Sequence, residues 1–65
     1  MKRYYFELLD NEYNDLGAFI PDGSSKQTAI NRAKRWMKNN GVKSAKLSVN
    51  SIITSNILDI IEIEL

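Results

Sequence analysis

The spacing of apolar residues predicts one amphipathic helix near the middle of the chain. Apolar side chains recur every three or four residues at Ala29, Ile30, Ala33, Trp36 and Met37. This spacing gathers them on one stripe of a helix, which is therefore expected to be buried. Ser24 and Gln27 fit a capping box at the start of the helix, and Gly41 with Val42 fits a Schellman motif at its end.

Alternation of apolar and polar residues predicts four strands around this helix. Residues 4–10 alternate and are rich in aromatics, which favours a strand. Residues 16–20 alternate again up to Pro21, which ends the second strand because proline cannot donate to a sheet ladder. Residues 44–50 and 57–65 give the third and fourth strands, with a turn placed at residues 54–56. The predicted order is ββαββ.

This order predicts a single small α+β domain that spans residues 1–65. A right-handed crossover places the third strand beside the first, so we expect a four-stranded antiparallel sheet in the order 2-1-3-4. A single helix packs on one face of that sheet and leaves the other face open.

The open face is predicted to carry too many apolar side chains for a solvated surface. Its candidate contacts are Tyr5, Phe19, Leu58 and Ile60. An exposed apolar patch on a small domain marks an interaction surface. We therefore expect a protein-interaction module that forms a homodimer through this face or through a strand edge, or that binds another protein. The alternative is that loops or a shifted strand phase bury these residues within one molecule.

The composition excludes several kinds of catalytic site. The chain has no cysteine and no histidine, so it offers no disulfide, no zinc site of the usual kind and no histidine-activated nucleophile. Two acid pairs, Asp10 with Glu12 and Glu62 with Glu64, resemble catalytic or Ca²⁺-binding carboxylates. Glu62 and Glu64 lie on the outer side of a predicted strand, where solubility explains them, and the chain has no EF-hand spacing. We expect no enzymatic activity, no metal and no cofactor.

Charge is distributed unevenly although the net charge is only +1. Residues 24–56 hold seven basic residues and no acid, whereas the acids lie in residues 1–23 and 57–65. The outer face of the helix carries Arg32, Lys34, Arg35 and Lys38. This face is either simply hydrated or contacts phosphates, so the alternative function is nucleic-acid binding. Trp36, at the edge of the apolar stripe, either belongs to the core or stacks on a base.

The amino terminus lacks the pattern of a secretory signal. Glu7 interrupts the first apolar run early, and no apolar run reaches the length of a bilayer. We expect a cytoplasmic protein that does not contact membranes.

Residues 17–25, with the sequence Gly-Ala-Phe-Ile-Pro-Asp-Gly-Ser-Ser, are followed by Ala29 and Ala33. This passage from strand to helix resembles that of HicB-type antitoxin domains and of short uncharacterised bacterial ββαββ proteins. The resemblance implies a small sheet with one covering helix, dimer formation and a protein-binding or regulatory role without catalysis. It assigns no functional residue to this chain.

Overall fold

The computed structural model describes residues 4–65, which form an α+β fold with the order β-α-β-β. The elements are β1 (Tyr4–Leu9), α1 (Lys26–Asn40), β2 (Ser44–Ser51) and β3 (Ile57–Glu64). Lys2 and Arg3, which enter the charge balance above, lie outside the described residues. The α+β class and the single helix predicted from the sequence are confirmed.

The sheet has three antiparallel strands in the order β1-β2-β3, so β2 is central. The prediction of a four-stranded sheet in the order 2-1-3-4 is therefore wrong. The other three predicted strands correspond to β1, β2 and β3, and they lie side by side in the expected spatial order. The crossover through α1 does place β2 beside β1. The missing strand is the predicted second one, at residues 16–20.

Residues 16–23 run beside the outer edge of β1 without forming a regular ladder. The N–H of Leu16 donates to the carbonyl of Leu8 over 2.8 Å, and the N–H of Gly23 donates to that of Tyr4 over 2.9 Å. Gly23 lies seven positions after Leu16, whereas Leu8 lies only four positions after Tyr4. A regular ladder pairs residues one to one, so it cannot form between two segments of unequal length. Gly17, at a φ of 80°, takes the chain out of the extended conformation immediately after Leu16.

The predicted alternation of faces nevertheless holds in this irregular segment. Ile20 is buried in the core, and Leu16 and Ala18 pack against it. Phe19 points outward and is 79% exposed. Burial of alternate apolar side chains is therefore satisfied without the hydrogen bonds of a strand.

The helix begins one residue later than predicted. Ser25, and not Ser24, is the cap, and its hydroxyl accepts a hydrogen bond of 3.1 Å from the N–H of Thr28. The Ser24 hydroxyl instead donates to the carbonyl of Pro21 over 2.7 Å. Gln27 donates to Asn31, so the predicted capping box does not form.

The helix ends as predicted, in a Schellman motif. Gly41 adopts the left-handed conformation at a φ of 70°. The N–H of Val42 donates to the carbonyl of Met37 over 2.9 Å, which is the bond that defines this motif. The end of α1 is thus fixed by a glycine that the sequence already marks.

One face of the sheet packs against α1 and forms the core. The helix contributes Ala29, Ala33 and Met37, all of which are fully buried. The sheet contributes Phe6, Leu8, Ala45, Leu47, Val49 and Ile63. Ala29 and Ala33, one turn apart, have small side chains, so they allow the backbone of α1 to lie close to the sheet.

The turn between β2 and β3 is longer than predicted. It spans residues 52–56, because β2 continues only to Ser51 and β3 begins at Ile57. The Ser51 hydroxyl accepts hydrogen bonds from the N–H groups of Ile53 and Thr54, both of 3.2 Å. Ile52 and Ile53, which the sequence assigns to neither strand nor turn, therefore lie in an exposed turn.

Candidate interaction surfaces

Three rows of side chains cross the sheet face that lies opposite α1. The register aligns Tyr5 with Asn50 and Ile57, Glu7 with Ser48 and Ile60, and Leu9 with Lys46 and Glu62. Polar and charged side chains from β2 occupy the middle of every row. The open face is therefore less apolar than the sequence predicts.

Ser48 and Asn50 are buried on this face although no helix covers it, and each is only 1% exposed. The side-chain amide of Asn50 donates to the Ser48 hydroxyl over 3.0 Å and to the Tyr5 carbonyl over 3.3 Å. The longer side chains of the flanking strands surround these two short ones. The alternating pattern places both residues outward, and nothing in the sequence indicates that they are buried.

The loop that follows β1 folds over one end of the open face. The amide of Asn11 donates to the Ser44 hydroxyl over 3.1 Å. The ammonium of Lys46 lies 5.7 Å from the centre of the Tyr13 ring, within the range of a cation–π contact. Lys46 also forms an ion pair of 3.7 Å with Glu62. This end of the face is thus covered by the chain itself, as the alternative interpretation of the sequence allowed.

The structure does not bring the four predicted interface residues together. Tyr5 and Ile60 are half-buried on the open face. Leu58, 55% exposed, sits where the register shifts between β2 and β3, so it has no direct partner on β2. Phe19 lies elsewhere, in a groove beside the helix.

The outer edge of β3 is unpaired in the part of the chain that the structure describes. The outer edge of β1, in contrast, is covered by residues 16–23. Exposed apolar side chains cluster where β3 begins and in the preceding turn: Ile52, Ile53, Ile57 and Leu58. A bare strand edge beside apolar side chains favours pairing with another chain.

The four basic residues of α1 that were predicted to contact phosphates divide between two sides of the helix. Arg32 and Arg35 line one groove of about 290 Å³ and a second of about 220 Å³. Lys34 lines neither of these grooves, because about 100° of rotation per residue places it on the flank opposite Arg32. Lys38 contributes to a third groove, beside Leu65. The four predicted phosphate contacts therefore do not form one convergent set.

The turn after β1 is organised by one carboxylate. The carboxylate of Asp10 accepts hydrogen bonds from the N–H of Asn14 over 2.9 Å and from the N–H of Glu12 over 2.8 Å. The Asn14 backbone bond is the largest influence that holds the pKa of Asp10 below its ordinary value, because it stabilises the charged form. These bonds are those of an Asx turn, so they explain the acid in structural terms.

Within residues 4–65, no three Asp or Glu side chains come close enough together to hold a metal ion. The helix of this described part is too short and too polar to cross a bilayer. The candidate surfaces are the outer edge of β3 and the two adjoining grooves that Arg32 and Arg35 line.

Comparison with known proteins adds no family to these observations. No protein-family model, curated protein or solved structure matches the chain. The similarity to HicB-type domains stays a prediction based on residues 17–25, Ala29 and Ala33.

Proposed function

We propose that this protein is a non-enzymatic interaction module that self-associates by pairing the β3 strands of two copies. The observation that carries this proposal is the edge of β3, which has eight residues and no neighbour on its outer side in the described chain. An unpaired strand presents a row of N–H and carbonyl groups that another strand can satisfy. In one molecule the N–H of Ile60 donates to the Asp59 carboxylate over 2.9 Å, so pairing exchanges this bond for one to the second copy. Pairing two β3 strands would join two three-stranded sheets into one sheet of six strands.

Apolar side chains next to this edge add to the driving force. Ile57 and Leu58 lie on β3 itself, and Ile52 and Ile53 lie in the turn before it. Each of these side chains is exposed in one molecule. Ile57 and Leu58 can be buried by the β3 strand of a second copy, and Ile52 and Ile53 extend the apolar surface beside it. The open sheet face contributes less, because its centre is occupied by the polar pair Ser48 and Asn50.

The acids of β3 oppose this association, since charges on an edge strand discourage pairing. They are Asp59, Glu62 and Glu64. An antiparallel pair centred on Ile61 places Glu62 opposite Ile60 of the second copy. Glu64 then faces Leu58 of the second copy, so no carboxylate lies directly opposite another. The remaining repulsion acts at longer range, where salt screens it. We therefore expect the dimer to persist or strengthen at high salt.

The first experiment is to measure molar mass by light scattering across a protein concentration series, at low and at high salt. The proposal predicts a dimer that survives high salt. A monomer at every concentration would disprove it. A dimer that dissociates as salt rises would also contradict it, because that behaviour indicates attraction between a basic and an acidic surface.

Two substitutions locate the interface. Leu58→Glu adds a fourth acid to the β3 edge and is expected to give a monomer. Phe19→Glu makes a comparable change on an exposed apolar residue beside α1, and it is expected to leave the dimer intact. Circular dichroism of both variants checks that they are folded. Dissociation by Phe19→Glu alone would place the interface near residues 16–23.

A further inference from the structure

Two adjoining grooves lie along one flank of α1 and share Arg32 and Arg35. The first is also lined by Phe19, Trp36 and Asn39. The second continues it past Thr28 and Asn31 toward the start of the helix. Neither lining includes a carboxylate, and α1 itself contains no acid. The charge on the lining of both grooves therefore comes from these two arginines and is positive.

Aromatic side chains border the two arginines on the first groove. Phe19 is 79% exposed, which is unusual for a phenylalanine on a small domain. Trp36 is half-buried, so part of its ring packs on the core while the rest lines the groove. Packing on the core holds the indole in place, and an aromatic ring held in place is a suitable surface for stacking.

We propose that these grooves bind single-stranded nucleic acid, with Arg32 and Arg35 contacting phosphates and with Phe19 and Trp36 stacking on bases. Proteins that bind single strands combine a basic path for the backbone with aromatic side chains for the bases. A duplex keeps its bases stacked on one another and offers no free base face to these rings. The amides of Asn31 and Asn39 add donors and acceptors within reach of the same path.

An acidic peptide fits this surface less well than a single strand. It would pair with the arginines but would leave the two aromatic rings without a planar partner. The acidic β3 strand of a second copy has the same shortcoming. Phe19 and Trp36 therefore favour a single strand over an acidic peptide, since every base has a face on which an aromatic ring can stack.

The grooves and the β3 edge lie on different sides of the molecule. Phe19 belongs to the segment that covers the outer edge of β1, and β3 forms the opposite edge of the sheet. Binding at the grooves is therefore independent of self-association. Failure of one proposal leaves the other to be judged on its own experiment.

Trp36 provides a direct measurement, because it is the only tryptophan in the chain. The experiment is a titration of the protein with a thymidine oligonucleotide of about 12 nucleotides, within the range of known single-strand sites. We expect quenching of Trp36 fluorescence at low salt, with an affinity that falls steeply as salt rises. A duplex of the same length and polyglutamate are titrated in parallel, and both are expected to bind more weakly.

Paired substitutions separate this site from general attraction to a basic helix. Arg32→Gln with Arg35→Gln removes two charges from the grooves, whereas Lys34→Gln with Lys38→Gln removes two charges from α1 outside them. The arginine pair is expected to reduce the slope of log affinity against log salt by about 1.4, since each phosphate contact on a single strand contributes about 0.7. The lysine pair is expected to change this slope much less.

Phe19→Ala tests the stacking contribution separately from charge. The side chain is exposed, so its loss should leave the fold intact, and binding is expected to weaken by roughly 5- to 150-fold, the range measured for loss of one stacked base. Three results would overturn the proposal: no quenching of Trp36 at low salt, equal effects of the arginine and lysine pairs, or polyglutamate binding as tight as that of the oligonucleotide.

Discussion

The side-chain amide of Asn50 donates a hydrogen bond of 3.0 Å to the hydroxyl of Ser48, two residues earlier on the same face of the central strand. Both side chains are buried, although α1 covers the opposite face of the sheet. The same amide reaches the carbonyl of Tyr5, so the pair also links β2 to β1. A buried polar group that loses its partner destabilises the fold, because it gave up its bonds to water on folding.

Removal of either member of this pair is expected to destabilise the protein. Ser48→Ala and Asn50→Ala should each lower the free energy of unfolding by about 1 to 3 kcal/mol, the usual cost of leaving a buried polar group unpaired. The double variant should lose less than the sum, with a coupling of about 0.5 to 1.5 kcal/mol. Urea unfolding of the four proteins measures all three values.

A matched control is Asn39→Ala, which truncates the same residue type at an exposed position of α1. Its effect should stay within about 0.5 kcal/mol. Strictly additive losses at Ser48 and Asn50 would show that their hydrogen bond contributes nothing to stability.

Local periodicity was enough to predict the helix and the three strands of the sheet, because each of these elements buries one face of its own. It was not enough at residues 16–20, where alternation was present but the strand was not. A strand also needs a matching count of residues on its neighbour, and residues 16–23 are too many for the stretch of β1 beside them. Gly17 and Pro21 were local signs of that irregularity.

The candidate surfaces depended on tertiary structure more than on sequence pattern. Ser48 was predicted to lie on the sheet face opposite α1, which it does. Its burial on that face follows from the central position of β2 in the sheet. Phe19 was assigned to the open face because residues 16–20 were assumed to continue the sheet. Once that segment departs from the sheet, the same side chain lies beside α1. Strand order and register, which local patterns do not encode, decide both positions.

Close packing of α1 on the sheet predicts that a larger side chain at Ala33 is poorly tolerated. Ala33 is fully buried within the core between α1 and the sheet. Ala33→Leu is expected to destabilise the protein by about 1 to 3 kcal/mol through overpacking. Lys34→Leu introduces the same side chain at the next, exposed position and should stay within about 0.5 kcal/mol. Chemical unfolding compares the two, and equal effects would mean that α1 does not pack closely at Ala33.

The Schellman motif at the end of α1 predicts how substitutions at Gly41 rank in their effect on stability. A Cβ at Gly41 would meet no atom within 4 Å, so any cost arises only from the left-handed backbone at a φ of 70°. Gly41→Ala is expected to destabilise the protein by about 1 to 2 kcal/mol, since an L residue is strained in this conformation. Gly41→Asn should cost less, because asparagine enters this region more readily. Thermal unfolding ranks the variants, and an alanine as stable as asparagine would contradict the Schellman ending.

The hydrogen bonds to Asp10 predict a pH dependence of stability. Because the pKa of Asp10 is lowered in the folded protein, chiefly by the N–H of Asn14, its charged form stabilises the fold. That contribution is present above the unfolded pKa and is lost as pH falls through the lower folded pKa. Wild type should therefore be more stable than Asp10→Asn near neutral pH, and the difference should shrink toward zero in acid. Urea unfolding midpoints across this range measure it.

The control for this dependence is Glu12→Gln, which removes one negative charge from the same turn. The Glu12 backbone N–H donates to Asp10, but its side chain accepts no hydrogen bond from the described residues. A general effect of charge would therefore appear in both variants, whereas loss of the charged acceptor in the Asx turn would appear only in Asp10→Asn, since asparagine can still accept these bonds as a neutral amide. We expect the acid-dependent difference for Asp10→Asn to exceed that for Glu12→Gln. Equal differences would show that the turn is held by its backbone bonds, such as that from Tyr13 to the Asp10 carbonyl, without help from the carboxylate.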